Sequence, residues 1–159
     1  MRKLTYLIPI LVAALLATSA SSATKPIKIA FVGNYSGQAS TLVDGNTVTI
    51  TAKGAGKGTM IGAGALNAQG TGDSSQQPCV PFGGTGTLTG ASGTIFFKTN
   101  AGASGCGDEG GHNFTVRAYF AVTKATGKLA KAKGTLKAIG TYSRDDGSFT
   151  AKVTGTLTK

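Results

Sequence analysis

The side chains able to do chemistry are few, and several fall close together: Cys79, Cys106, Asp108, Glu109 and His112, the last being the single histidine of the chain. Two chemistries are open to such a group. A metal site would need deprotonated thiols and the short C-x-x-C or H-x-x-x-H spacings that aim ligands at one ion, and neither spacing is present. General acid–base work needs a titratable group held within hydrogen-bond reach of a substrate. The glycine-rich stretch 100–111 reads as a long loop, which holds such a group poorly and leaves His112 in solvent. The two cysteines are the simpler case. Outside the cytoplasm they form one disulfide, Cys79–Cys106. Closing that loop contributes about 3.5 kcal/mol on the chain-entropy account.

Other motifs dissolve on inspection. Residues 54–59, Gly-Ala-Gly-Lys-Gly-Thr, imitate the end of a phosphate-binding loop. Thr51 stands where the first glycine should be, however, and no helix follows to hold an anion. No G-x-S-x-G elbow occurs, and Asp145-Asp146 are turn residues rather than a catalytic acid pair. No catalytic residue, cofactor or metal is therefore assigned.

Charge is more informative. Sixteen basic residues against six acidic ones give a formal +10. Arg117, Lys124, Lys128, Lys131, Lys133 and Lys137 follow one another with no acid between Glu109 and Asp145. Arg117, Lys131 and Lys133 are the residues expected to gather into a patch for an anionic polymer or surface. The competing reading is that these charges only keep the protein soluble and protect sheet edges. Nucleic acid is not the expected partner, because the charges are mostly lysine, few aromatics interleave with them, and the chain is exported.

Export is read from the N-terminus. Arg2 and Lys3 precede an apolar run, residues 4–17, and small residues follow to Ala23. That order is a secretory signal peptide, and the apolar run is shorter than the ~20 residues that span a bilayer. The expected division is a signal peptide, 1–23, whose apolar part forms a helix, and one domain, 24–159, in an extracellular or periplasmic location. Stable membrane insertion after cleavage is not expected, since the outward strand faces carry Thr and Lys rather than a lipid-facing apolar band.

The elements that must position these residues alternate with period two. In 147–158, Phe149, Ala151, Val153 and Leu157 face one way while Thr150, Lys152, Thr154 and Thr156 face the other. Residues 113–123 repeat the pattern with Phe114, Val116, Ala118, Phe120 and Val122 on one face. Runs at 48–54 and 135–142 do the same, and weaker ones lie at 26–33, 59–70, 84–90 and 94–99. Alternation of this kind marks half-buried strands. Asp44-Gly45-Asn46, Ala91-Ser92-Gly93 and Asp145-Asp146-Gly147 supply the turns between them. With about eight strands and no helix in the domain, the chain is all-β. The expected architecture is a single closed antiparallel barrel, with a β-sandwich as the alternative.

Residues 121–134, Ala-Val-Thr-Lys-Ala-Thr-Gly-Lys-Leu-Ala-Lys-Ala-Lys-Gly, resemble the strand–turn–strand signature of allene oxide cyclase-like and dirigent-like barrels. The pattern there runs approximately T-G-G-T-G-x-F-x-G-A-x-G. Thr126, Gly127, Ala132 and Gly134 match it, Leu129 stands at the aromatic position, and Lys131 replaces a glycine. The resemblance implies an eight-stranded, calycin-like barrel with an interior cavity. It carries over no catalytic group. The matched residues are architectural, with Leu129 expected to plug one barrel end.

The functional expectation is a secreted, non-enzymatic barrel that binds a small apolar ligand or an anionic surface, with Phe114, Phe120 and Phe149 lining the interior. Two other readings stay open: an isomerase or cyclase acting inside the cavity, and a structural or oligomeric cell-surface protein. No oligomeric state is indicated.

Overall fold

The computed structural model describes residues 25–159; the expected signal peptide lies outside them. Nine strands follow in order: β1 (Lys28–Asp44), β2 (Thr47–Gly58), β3 (Gly62–Asp73), β4 (Cys79–Gly90), β5 (Gly93–Thr99), β6 (Ser104–Gly107), β7 (Asn113–Ala125), β8 (Lys133–Ser143) and β9 (Ser148–Thr158). A single 3-10 turn, Gly127–Leu129, sits between β7 and β8. Each strand pairs antiparallel with its neighbours, and β3 also pairs with β4 while β9 pairs with β1, so the sheet closes on itself. Closure excludes the sandwich and leaves no open sheet edge.

Nine runs make eight staves. β6 lies between β4 and β7, the same two neighbours that flank β5, and continues the direction of β5 after an excursion at residues 100–103. The stretch 100–111 is thus not one long loop, as its glycines imply, but holds a short strand. The glycines hid it because period two needs side chains to be read. β1 also runs well past residue 33, pairing with β2 and β9 through residues whose inward positions, Gly37 and Ala39, carry little apolar signal.

Alternation sets the interior. Phe31 and Tyr35 of β1, Leu66 of β3, Leu88 of β4, Ile95 and Phe97 of β5, Val122 of β7, Leu136 of β8 and Val153 and Leu157 of β9 are buried in one cluster. Glycine makes room for the largest of them. A Cβ on Gly58 would lie 2.8 Å from both the Phe31 ring and the Tyr35 hydroxyl, so only a bare backbone fits beside these rings.

One end of the barrel is plugged. Ile61, in the β2–β3 turn, and Leu129 in the 3-10 turn are both fully buried. The turn that carries Leu129 is tied to the β4–β5 hairpin, since the Lys128 amide donates to the Ser92 carbonyl at 2.8 Å and the Thr94 amide donates to the Thr126 hydroxyl at 3.1 Å. Gly127 takes φ +62°, the left-handed region that a side chain resists. Lys131, standing where the resembling pattern has glycine, still adopts φ +69°. The segment leading into β1 meets the end of β9 here, where the Ile27 and Lys159 backbones exchange hydrogen bonds of 2.9 and 3.0 Å.

Candidate functional site: an apolar cup opening at one end

The opposite end is hollow. It is formed by the second half of β1, the start of β2, the end of β3, the start of β4, β6, and the paired ends of β7, β8 and β9. Here the inward positions hold small residues: Ala39, Ala52, Ala68, Gly84, Gly140 and Ala151. An eight-stave barrel is just wide enough for large side chains to fill it. Small ones leave space, and the result is a cavity of about 450 Å³, within the range of small-molecule pockets.

Its wall is overwhelmingly apolar. Phe114 and Phe120 enter from β7 and Phe149 from β9, all three lining the cavity. The Phe120 ring lies 4.7 Å from that of Phe97, at the floor where packed core gives way to cavity. Phe114 stands 6.0 Å from Tyr142 nearer the mouth. Polar groups cluster at the mouth, and Gln69, Thr85 and Thr99 add a few deeper in the wall. Tyr142 and Thr41 hydroxyls approach to 3.5 Å, and the Arg144 guanidinium lies 5.7 Å over the Phe114 ring. Arg144 is the one charged residue among the described residues that line the cavity. It was missed in the sequence because it directly precedes two turn aspartates and reads as part of a hairpin tip.

The disulfide stands beside this mouth. Cys79 of β4 and Cys106 of β6 are directly opposed in register and bonded, with Cα atoms 3.9 Å apart. The Gly107 amide donates to the Pro78 carbonyl at 2.9 Å just beyond. The bridge fastens the short strand β6 to β4, so the interrupted stave cannot peel open at the cup's rim.

His112, Asp108 and Asp145 hold the rim loops together in solvent. The Asp108 carboxylate accepts from the backbone amides of His112 (2.9 Å) and Asn113 (3.2 Å) and from the Asn113 side chain (3.0 Å), which draws its pKa down. The His112 Nδ1 lies 2.7 Å from Asp145, whose hydrogen bond and charge push the imidazole pKa up. None of these groups lines the cavity. Asp145 and Asp146 occupy the β8–β9 turn, and the Ser148 amide donates to Asp146 at 2.9 Å. The one strongly shifted buried group is Tyr35, whose hydroxyl has no partner among the described residues and whose pKa burial raises to about 12. It belongs to the packed half, not to the cup.

The three basic residues expected to gather do not share one place. Arg117 faces outward on the barrel wall opposite Ile139 of β8, six residues along that strand from Lys133, a separation of roughly 20 Å at the strand rise. Lys131 and Lys133 lie at the plugged end. Closeness in sequence misled here because β7 runs away from the cup for its whole length before the chain reaches Lys131.

Among the described residues no helix is long and apolar enough to cross a membrane, and the disulfide fits an oxidising compartment. No protein-family model matches this chain, and no curated protein matches its sequence.

Proposed function

We propose that this protein is an exported binding barrel whose cup takes up a small apolar molecule. The observation that carries the reading is the cavity itself: about 450 Å³, floored and walled by Phe97, Phe114, Phe120 and Phe149, with Arg144 and the Tyr142 and Thr41 hydroxyls near its mouth. A ligand burying ~250 Å² of apolar surface there gains roughly 6 kcal/mol by transfer from water. Part of that gain offsets the cost of immobilising the ligand. The rim groups would meet whatever polar end the molecule has, so an elongated compound with one polar terminus fits best.

Kinship with allene oxide cyclase-like and dirigent-like barrels belongs to the same proposal. Its supports are the 121–134 turn, which here builds the plug, and the closed eight-stave architecture. Export rests on the basic-then-apolar N-terminal sequence and on the disulfide.

The test is a titration with the apolar fluorophore N-phenyl-1-naphthylamine, whose emission rises in a dry site. Saturable binding is expected, and Ala151→Phe, which projects a ring into the cup, should weaken it at least ~10-fold, or ~1.4 kcal/mol, with an unchanged β-sheet circular dichroism spectrum. Absence of saturable binding, or equal binding by the filled variant, overturns the reading.

A further inference from the structure

The charged side chains are segregated along the barrel axis. Every acidic residue, Asp44, Asp73, Asp108, Glu109, Asp145 and Asp146, lies in or beside a turn at the cup end. The plugged end carries six exposed lysines and no acid: Lys25, Lys28, Lys128, Lys131, Lys133 and Lys159. Four of them are contiguous. Lys28 and Lys133 flank Thr158 from the two neighbouring strands, and the Lys159 ammonium donates to the Lys128 carbonyl at 2.9 Å. With no acidic side chain nearby, this end presents only basic side chains; the wall is basic as well, through residues such as Lys53, Lys98 and Lys152, and the sign reverses at the rim, where the carboxylates lie.

One further observation selects the surface this end fits. Ile27 and Met60 project from the same end with 62% and 48% of their surfaces exposed. Exposed apolar side chains among lysines gain nothing from a hydrophilic polyanion but do gain by entering the headgroup–acyl boundary of a bilayer. We infer that the plugged end docks on an anionic lipid surface, its lysines meeting the headgroups, and that the cup's mouth is thereby turned outward. This orientation does not require the cup to bind anything.

The test uses the purified exported protein and co-sedimentation with phosphatidylcholine vesicles with and without phosphatidylglycerol. Binding should require the anionic lipid and fall with added salt. The triple variant Lys28→Gln/Lys128→Gln/Lys133→Gln should lose about 100-fold in partitioning, from the contribution of each lysine near a charged membrane. The wall variant Lys53→Gln/Lys98→Gln/Lys152→Gln removes the same charge from the barrel's sides and should lose less than about 3-fold, as expected of groups held beyond a Debye length from the surface. Because the chain has no tryptophan, Ile27→Trp and Leu42→Trp are clean reporters of the two ends. The first should shift to the blue on anionic vesicles and the second should not. Equal losses in the two triple variants, a blue shift at Leu42→Trp, or retention on polyglutamate without retention on vesicles would each overturn the inference.

Discussion

The two ends of this barrel are built from the same staves and differ in nearly everything else. At the plugged end, inward positions carry Phe31, Leu88, Ile95 and Leu157, and the turns contribute Ile61 and Leu129, all fully buried. At the cup end the same staves set alanine, glycine and threonine inward among the rings of Phe114, Phe120 and Phe149, and their turns are polar: Asp44-Gly45-Asn46, residues 74–77 and Arg144 to Gly147. Interiors are stable at close-packed density, so one end holds the fold and the other is free to be empty. Charge follows the same division, with lysine at the packed end and carboxylates around the opening. The disulfide stands at the cup, where packing is weakest and β5 gives way to β6. The hollow half is held by a covalent link and rim hydrogen bonds, and the solid half by burial.

That division predicts unequal responses to mutation. Phe31→Ala should cost about 3–5 kcal/mol of unfolding free energy, read from urea denaturation, by opening a void in the packed half. Val48→Ala on the cup wall should cost less than ~1 kcal/mol, because the side chain it shortens already borders empty space. Comparable losses at both sites would break the comparison. Replacing both cysteines by alanine should cost up to about 3.5 kcal/mol. In hydrogen exchange the loss of protection should be confined to β4, β6 and the start of β7, with the plugged end unchanged. Tyr35→Phe should raise stability by about 1 kcal/mol, since it deletes a buried hydroxyl with no hydrogen-bond partner. A loss instead would mean that water reaches the packed half.

The smallest effect belongs to the rim. Folding raises the His112 pKa above its ordinary 6.5 through Asp145. The folded state therefore holds this proton more tightly than the unfolded one. The stabilisation is complete below about pH 6.5 and is lost as pH rises through the raised folded value. Both groups are exposed, so the pair is screened and the melting temperature should fall only slightly across that window. Asp145→Asn should flatten the slope.

Much of this was legible in advance. The alternation in 113–123 and 147–158 placed Phe114, Phe120 and Phe149 on one face, and they do line the cup. The plugging role of Leu129 came with the resemblance of residues 121–134, and the side chain is fully buried in the 3-10 turn. Cys79 opens β4 and Cys106 sits in β6, and their pairing needed only an oxidising compartment. Failures came where side chains were missing or distance along the chain was taken for distance in space. Ser104–Gly107 is half glycine and showed no period, and Arg117 was grouped with lysines that one long strand carries away from it. The charge segregation left a trace that went unread. In a meander, every second turn returns to the same end, and all six acids occupy the returning set.

The amino-acid order by itself determined most of the strands, their inner faces and the residues that turn the chain, because these depend on a local period and on the φ angles single residues tolerate. It did not determine that β3 would pair with β4 and β9 with β1 to close the ring, since alternation names a face and not a neighbour. Nor did it decide that inward side chains would close-pack at one end and leave a cavity at the other. That outcome depends on how antiparallel staves align along a common axis, and only the closed sheet sets that alignment.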